Sequence, residues 1–308
     1  MLPFKLVYHH GYDLNLGAHV FPSQKYRMIH DALLRQNLAS PEDFLAPEPA
    51  SDDDVRLVHT PEYVRKLQTN TLDAMERLRL EIPYSRELIA ACWLGAGGTL
   101  LAARRALADG VGATIGGGFH HAFPDHGEGF CVIHDVAIAI RRLQRDGAIR
   151  TAMVVDTDVH QGNGTAAIFR HDESVFTFSI HQENNYPMPK PPSSLDAGLD
   201  DGTGDADYLA ILEKHLLQAF EHFAADLLVY VAGADPYEED QLGGLALTSR
   251  GLEQRDQLVY DHARRHSVPI AVTLAGGYAR RVEDTVRIHM NTLLAARRAL
   301  PHSKPAAN

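Results

Sequence analysis

The stretch VVDTDVHQGNG, residues 154–164, decides the fold reading. It joins an apolar, β-branched run to three alternating polar residues, Asp156, Asp158 and His160. Alternation on an extended backbone puts side chains i, i+2 and i+4 on one face. Two carboxylates and an imidazole on one face suit a divalent cation, with zinc the default. A strand end whose aspartates cap the next helix is the alternative.

Working outward, the same grammar repeats. FKLVY (4–8) runs into His9 and His10, and GATI (112–115) into GGGFHH. TAMVV (151–155) leads to the first motif, and SVFTFSI (174–180) runs into His181. LLVYVAG (227–233) runs into Asp235, and PIAVTL (269–274) into AGGY. These runs are apolar throughout, as strands covered on both faces are. Amphipathic stretches lie at 23–37, 60–80, 86–109, 135–146, 205–224, 248–266 and 281–299. The alternation predicts a single-domain, three-layer α/β/α fold over 1–308 with a mostly parallel central sheet. Ligands bind outside the carboxyl ends of such strands, where the polar residues collect. GAGGTLL (95–101) reads as a close-packed helix and not a nucleotide loop, and GNG (162–164) as a helix entry. PEDFLAPEPASDDD (41–54) reads as a surface loop and 182–207 as a long loop walling the site. The tail 302–308 is expected to fray.

Composition narrows the classes. The 308 residues carry 29 Lys plus Arg against 40 Asp plus Glu, a net charge of −11, which disfavours a nucleic-acid binder. Two cysteines make no disulfide framework, in keeping with a cytoplasmic protein. No secretory signal and no membrane-spanning run is expected. Oligomeric state stays open.

Asp235, in GADP, is by itself a helix cap. Beside the first motif it supplies a third ligand. Asp158, His160 and Asp235 then leave a fourth position for water, the pattern of a catalytic zinc. His120 and His121 are an awkward ligand pair for one tetrahedral ion and suit proton transfer, although a Gly-rich turn also holds such pairs for packing. Tyr278, after Gly276 and Gly277, can donate to a developing oxyanion.

Taken in order, GGGFHHAFPDHGEGFC, VVDTDVHQGNGT, FSIH, GADP and AGGY resemble the zinc-dependent histone deacetylases of the arginase–deacetylase fold. FHH, DVHQGNG and AGGY look closest to the class IV branch and its bacterial relatives. The resemblance implies one zinc on Asp158, His160 and Asp235, tandem histidines His120 and His121, and Tyr278 as the transition-state tyrosine. It also implies Asp156 behind His120, a K+ site at Asp156 with Ser179 nearby, Phe130 as one channel wall and Gly129 as a backbone contact to an acyl-lysine. Where many members carry a second aspartate, behind the second histidine, this chain has Asn163. Tyr186 is the candidate for the opposing wall. The implied activity is hydrolysis of acyl groups, acetyl and longer fatty acyl, from lysine side chains or small acylated amines. Two rivals remain. A binuclear ureohydrolase of the same fold would need further carboxylates, and a non-catalytic acyl-lysine binder would be expected to have lost a site residue.

Overall fold

A computed structural model describes residues 1–300, so the expected fraying of 302–308 lies outside the described residues. Eight strands form one sheet: β1 (Leu6–Val7), β2 (Phe44–Leu45), β3 (Val111–Thr114), β4 (Ala152–Asp156), β5 (Val175–Gln182), β6 (Leu195–Leu199), β7 (Leu227–Val231) and β8 (Ile270–Thr273). Their order is β2-β1-β3-β8-β7-β4-β5-β6 and every pairing is parallel. Ten α-helices accompany them among the described residues: α1 (Gln24–Arg35), α2 (Asp52–Val55), α3 (Pro61–Thr69), α4 (Ala74–Arg79), α5 (Arg86–Asp109), α6 (Asp135–Arg145), α7 (Asn163–Phe169), α8 (Asp205–His222), α9 (Ser249–Arg265) and α10 (Val282–Ala295).

The period-2 geometry of the strands sorts the core into two layers. Met153 and Val155 of β4 pack with Leu33 of α1, Leu216 of α8, Val259 of α9 and Leu293 of α10. Ala152 and Val154 face the other way, with Leu100 of α5 and Ile140 of α6. Helices therefore cover both faces, as continuous apolar strands require. Contact on the second face is close. A Cβ at Gly97 of α5 would overlap the Glu48 carbonyl, and one at Gly112 of β3 would overlap that of Ala102. The Gly-rich GAGGTLL is thus the packed helix expected from its sequence.

Three expectations are corrected. The stretch 41–54 contains β2 and the start of α2, and the loop 182–207 contains β6. β6 is an edge strand in which only Ala197 and Leu199 are buried, and it is paired to β5 alone. The stretch 60–80 divides into α3 and α4 at Asn70, which adopts φ 57°.

Candidate active site

The strand ends converge as the topology demands. β4 stops at Asp156, and the chain bends through 158–160. The bend overturns the expectation of one extended face: Asp156 turns to a histidine and Asp158 and His160 to the adjoining loop. Asp156 Oδ2 lies 2.6 Å from His120 Nδ1, and its Oδ1 accepts the Asp158 N–H at 3.1 Å. Asp158, His160 and Asp235, all buried, each offer one ligand atom, and these lie within 4.8 Å of one another.

The carboxylates are held by backbone donors. Asp158 Oδ2 accepts from the Gly276 N–H at 3.0 Å, and Asp235 Oδ1 from the Val159 N–H at 2.9 Å. Asp235 Oδ2 is buried with no hydrogen-bond partner. A Cβ at Gly276 would overlap that oxygen, so glycine keeps the space beside it open. Burial and the adjacent Asp158 push the Asp235 carboxyl up to about 7. Burial works against a charge on His160, but Asp158 and Asp235 outweigh it and raise the imidazole to about 10. An orphaned buried oxygen, a second carboxylate and an imidazole fit a dication.

The tandem histidines sit beside this group, ring centroids 4.0 Å apart. Burial opposes a charged His120, yet Asp156 and Asp158 raise it to about 9. Burial, with His120 and His160 nearby, pushes His121 well below its ordinary value. His121 Nδ1 meets Asn163 Oδ1 at 2.8 Å. Asn163 opens α7, so the helix entry read from GNG delivers the amide.

Tyr278 is anchored by its backbone. Its N–H donates to Asp240 Oδ2 at 2.7 Å, and its carbonyl accepts from Gln241 Nε2 at 2.8 Å. Burial, then Asp158 and Asp235, push its phenol well up, so it remains a donor. Gly129 and Phe130 occupy left-handed backbone, φ 52° and 67°, in the turn that presents the Phe130 ring. That ring lies 5.8 Å from Tyr278. Tyr186 stands 5.0 Å from the His121 ring, and Phe130, Tyr186 and Tyr278 line one cavity with His121 and His160. Ser179 pairs in register with Asp156, and its hydroxyl meets His181 Nδ1 at 2.9 Å.

Several supporting residues escaped sequence reasoning. Lys25 is fully buried. It donates to the Ala275 carbonyl at 2.7 Å, under the Tyr278 ring. Arg255, also fully buried, donates to the carbonyls of Gly233 at 2.5 Å and Thr157 at 3.3 Å, tying two ligand-bearing loops together. Glu128 accepts from Asn163 Nδ2 at 2.5 Å and from the Tyr186 hydroxyl at 2.8 Å. A lysine in an amphipathic helix and a glutamate in a glycine turn carry no local signal of such roles.

Comparison with known proteins gives the class that fold and site define. The histone deacetylase domain model matches residues 19–293. The chain belongs to that family. It is 40% identical to an uncharacterised protein of Picosynechococcus sp., covering 96% of this chain and 98% of the relative. A probable deacetylase of Methanothermobacter thermautotrophicus is 30% identical, covering 89% and 85%. Among solved structures, an HDAC homologue from Aquifex aeolicus superposes with a TM-score of 0.82 at 24% identity, covering 96% of this chain and 84% of that one.

Proposed function

We propose that the chain, as one catalytic unit, is a zinc-dependent deacylase. It removes acyl groups from lysine side chains of proteins or peptides, or from small acylated amines, in the cytoplasm. One observation carries the reading: Asp158, His160 and Asp235 form one buried group with an unpartnered carboxylate oxygen, and two of its members, Asp158 and His160, line a cavity with His121 and Tyr278. Among the described residues this is the one such group, which favours a single zinc over the binuclear ureohydrolase chemistry. Asn163 in place of a second carboxylate supports the class IV affiliation. A K+ beside Asp156 and Ser179 belongs to the same reading.

Zinc held by Asp158, His160 and Asp235 would supply Lewis acidity, polarising the amide carbonyl and lowering the pKa of water toward ~7. His121, neutral because it is buried beside other imidazoles, takes the proton of the attacking water and returns it to the leaving amine. His120, kept charged by Asp156, contributes positive charge beside it. The Tyr278 phenol, kept protonated by burial, donates to the developing oxyanion. Phe130 and Tyr186 flank the lysine stem, and the Gly129 backbone contacts it.

Turnover of an acetyl-lysine peptide, abolished by chelator and restored by zinc, is the direct test. Asp158→Ala with Asp235→Ala should lose both the metal and the activity. Full zinc occupancy in that double variant would sink the ligand assignment.

Longer acyl chains belong to the same proposal. A second, apolar-walled cavity adjoins the site and shares Phe21, Tyr26 and Phe130 with it, while Leu88 and Cys92 line its far side. Each methylene buried there would contribute up to about 0.8 kcal/mol. Octanoyl-lysine should therefore be turned over above background. A fall to background at octanoyl would mean that the cavity is closed to the acyl group.

A further inference from the structure

We propose that Glu128 is a positioning residue for His121, fixing through the Asn163 amide which ring nitrogen carries the lone pair. The inference rests on the deacylase reading above, in which His121 moves the proton.

The argument starts from the amide. Asn163 Oδ1 receives the Gly164 backbone N–H at 3.0 Å and faces His121 Nδ1 at 2.8 Å. The other end, Nδ2, meets Glu128 Oε1 at 2.5 Å. A backbone N–H requires an acceptor, and a carboxylate requires a donor. Both neighbours therefore demand the same orientation, carbonyl toward the ring and amino group toward the carboxylate. A ring nitrogen facing that carbonyl must carry a hydrogen. His121 is thus the Nδ1–H tautomer, and its lone pair is on Nε2.

Glu128 is built for this. Its N–H donates to the Cys131 carbonyl at 3.1 Å and its own carbonyl accepts from Cys131 at 2.9 Å, closing the turn that also presents Phe130. Half-burial would raise its carboxyl. Hydrogen bonds from His126, Tyr186 and Asn163 outweigh that and hold it below the usual range, so it is ionised at neutral pH. The negative charge that many family members are expected to place directly behind this ring stands here one amide further back. It polarises the Nδ1–H without adding a full charge beside it. The Tyr186 hydroxyl binds the same Oε1, so the channel wall and the base share one carboxylate.

The test is a double-mutant cycle on the zinc-loaded protein, read by acyl-lysine turnover and by the 15N signals of His121. Glu128→Gln leaves only a neutral, weaker acceptor for Nδ2 and so loosens the lock. It should lower kcat about tenfold, a usual size for an outer partner of a site residue, and mix the two tautomers. Asn163→Asp alone sets two carboxylates against each other and should cost at least as much. Combined, the two restore donor and acceptor in sequence: the amide introduced at position 128 donates to the carboxylate introduced at position 163, which accepts from Nδ1–H. That double variant should return to within about threefold of wild-type kcat. Zinc content should be equal in all of them. A double variant no better than the worse single, or Glu128→Gln with wild-type kcat and a single tautomer, overturns the proposal. So does Tyr186→Phe if it reproduces both the kcat loss and the mixed tautomers, because the effect then belongs to the wall. A wild-type protein that turns over no acyl-lysine peptide would defeat the functional reading, while the 15N signals would still decide the role of Glu128.

Discussion

His120 and His121 are neighbours in the chain and their rings nearly touch, yet what lies behind each ring differs. Behind His120 is the carboxylate of Asp156, at the carboxyl end of β4. Behind His121 is the amide of Asn163, at the start of α7. One ring is raised to about 9 and the other pushed well below its usual range. A strand end supplies a charge, whereas a helix entry supplies a neutral dipole. Two identical side chains on one Gly-rich turn thereby meet opposite electrostatic surroundings.

The comparison can be broken most sharply by exchanging the rings for methyl groups. His121→Ala should lose about 10³ in kcat with zinc retained, within the range for a general acid–base residue. His120→Ala should lose at least tenfold less. Equal losses, or the reverse order, would show that the lone pair is on the other ring. A smaller effect is expected from making the two far sides alike. Asp156→Asn gives His120 an amide partner, so its charged form is less favoured, and kcat should fall about tenfold. An unchanged kcat would show that the charge on His120 is not used.

The remaining expectation is read in stability rather than in rate and concerns the bracing behind the turn that carries both rings. The His120 carbonyl accepts from the Thr165 N–H at 3.1 Å, Thr165 Oγ1 meets His134 Nε2 at 2.9 Å, and the His134 N–H donates to His59 Nε2 at 2.9 Å. Burial pushes His59 down to about 4. Above about pH 6.5 it is neutral folded or unfolded and adds no pH dependence. Between about pH 6.5 and 4 the unfolded chain takes up a proton that the folded chain refuses. The contribution of His59 to stability should therefore fall by about 3 kcal/mol across that window. A His59→Gln variant whose urea midpoint drops between pH 7 and 4 as steeply as that of the unaltered chain would show that His59 is not held neutral.

Much of this is legible in the sequence for a physical reason. Strands buried on both faces are continuous apolar runs, and a parallel sheet gathers their carboxyl ends at one edge. Six strands are readable from that pattern. β2 is a two-residue edge strand whose side chains are only half-buried, and β6 contains Asp196 and Gly198 and is paired on one side only, so neither shows as an apolar run. The period-2 rule places Asp156 with Asp158 and His160, and it fails where the strand ends and the chain bends. Lys25, Glu128 and Arg255 are unreadable because the groups they brace at the site lie far away in sequence. Lys25 binds a carbonyl 250 residues on, and a lysine normally signals a solvated face.

Gly276 has a consequence for inheritance. Any side chain there would intrude between the Asp158 and Asp235 carboxylates. A change from glycine to alanine at this codon would leave every ligand, both histidines and the tyrosine spelled out in the gene. Its product would still put a methyl group into the space between the two carboxylates. A gene can thus keep every residue that bears a functional group here and lose their arrangement at the one residue that bears none.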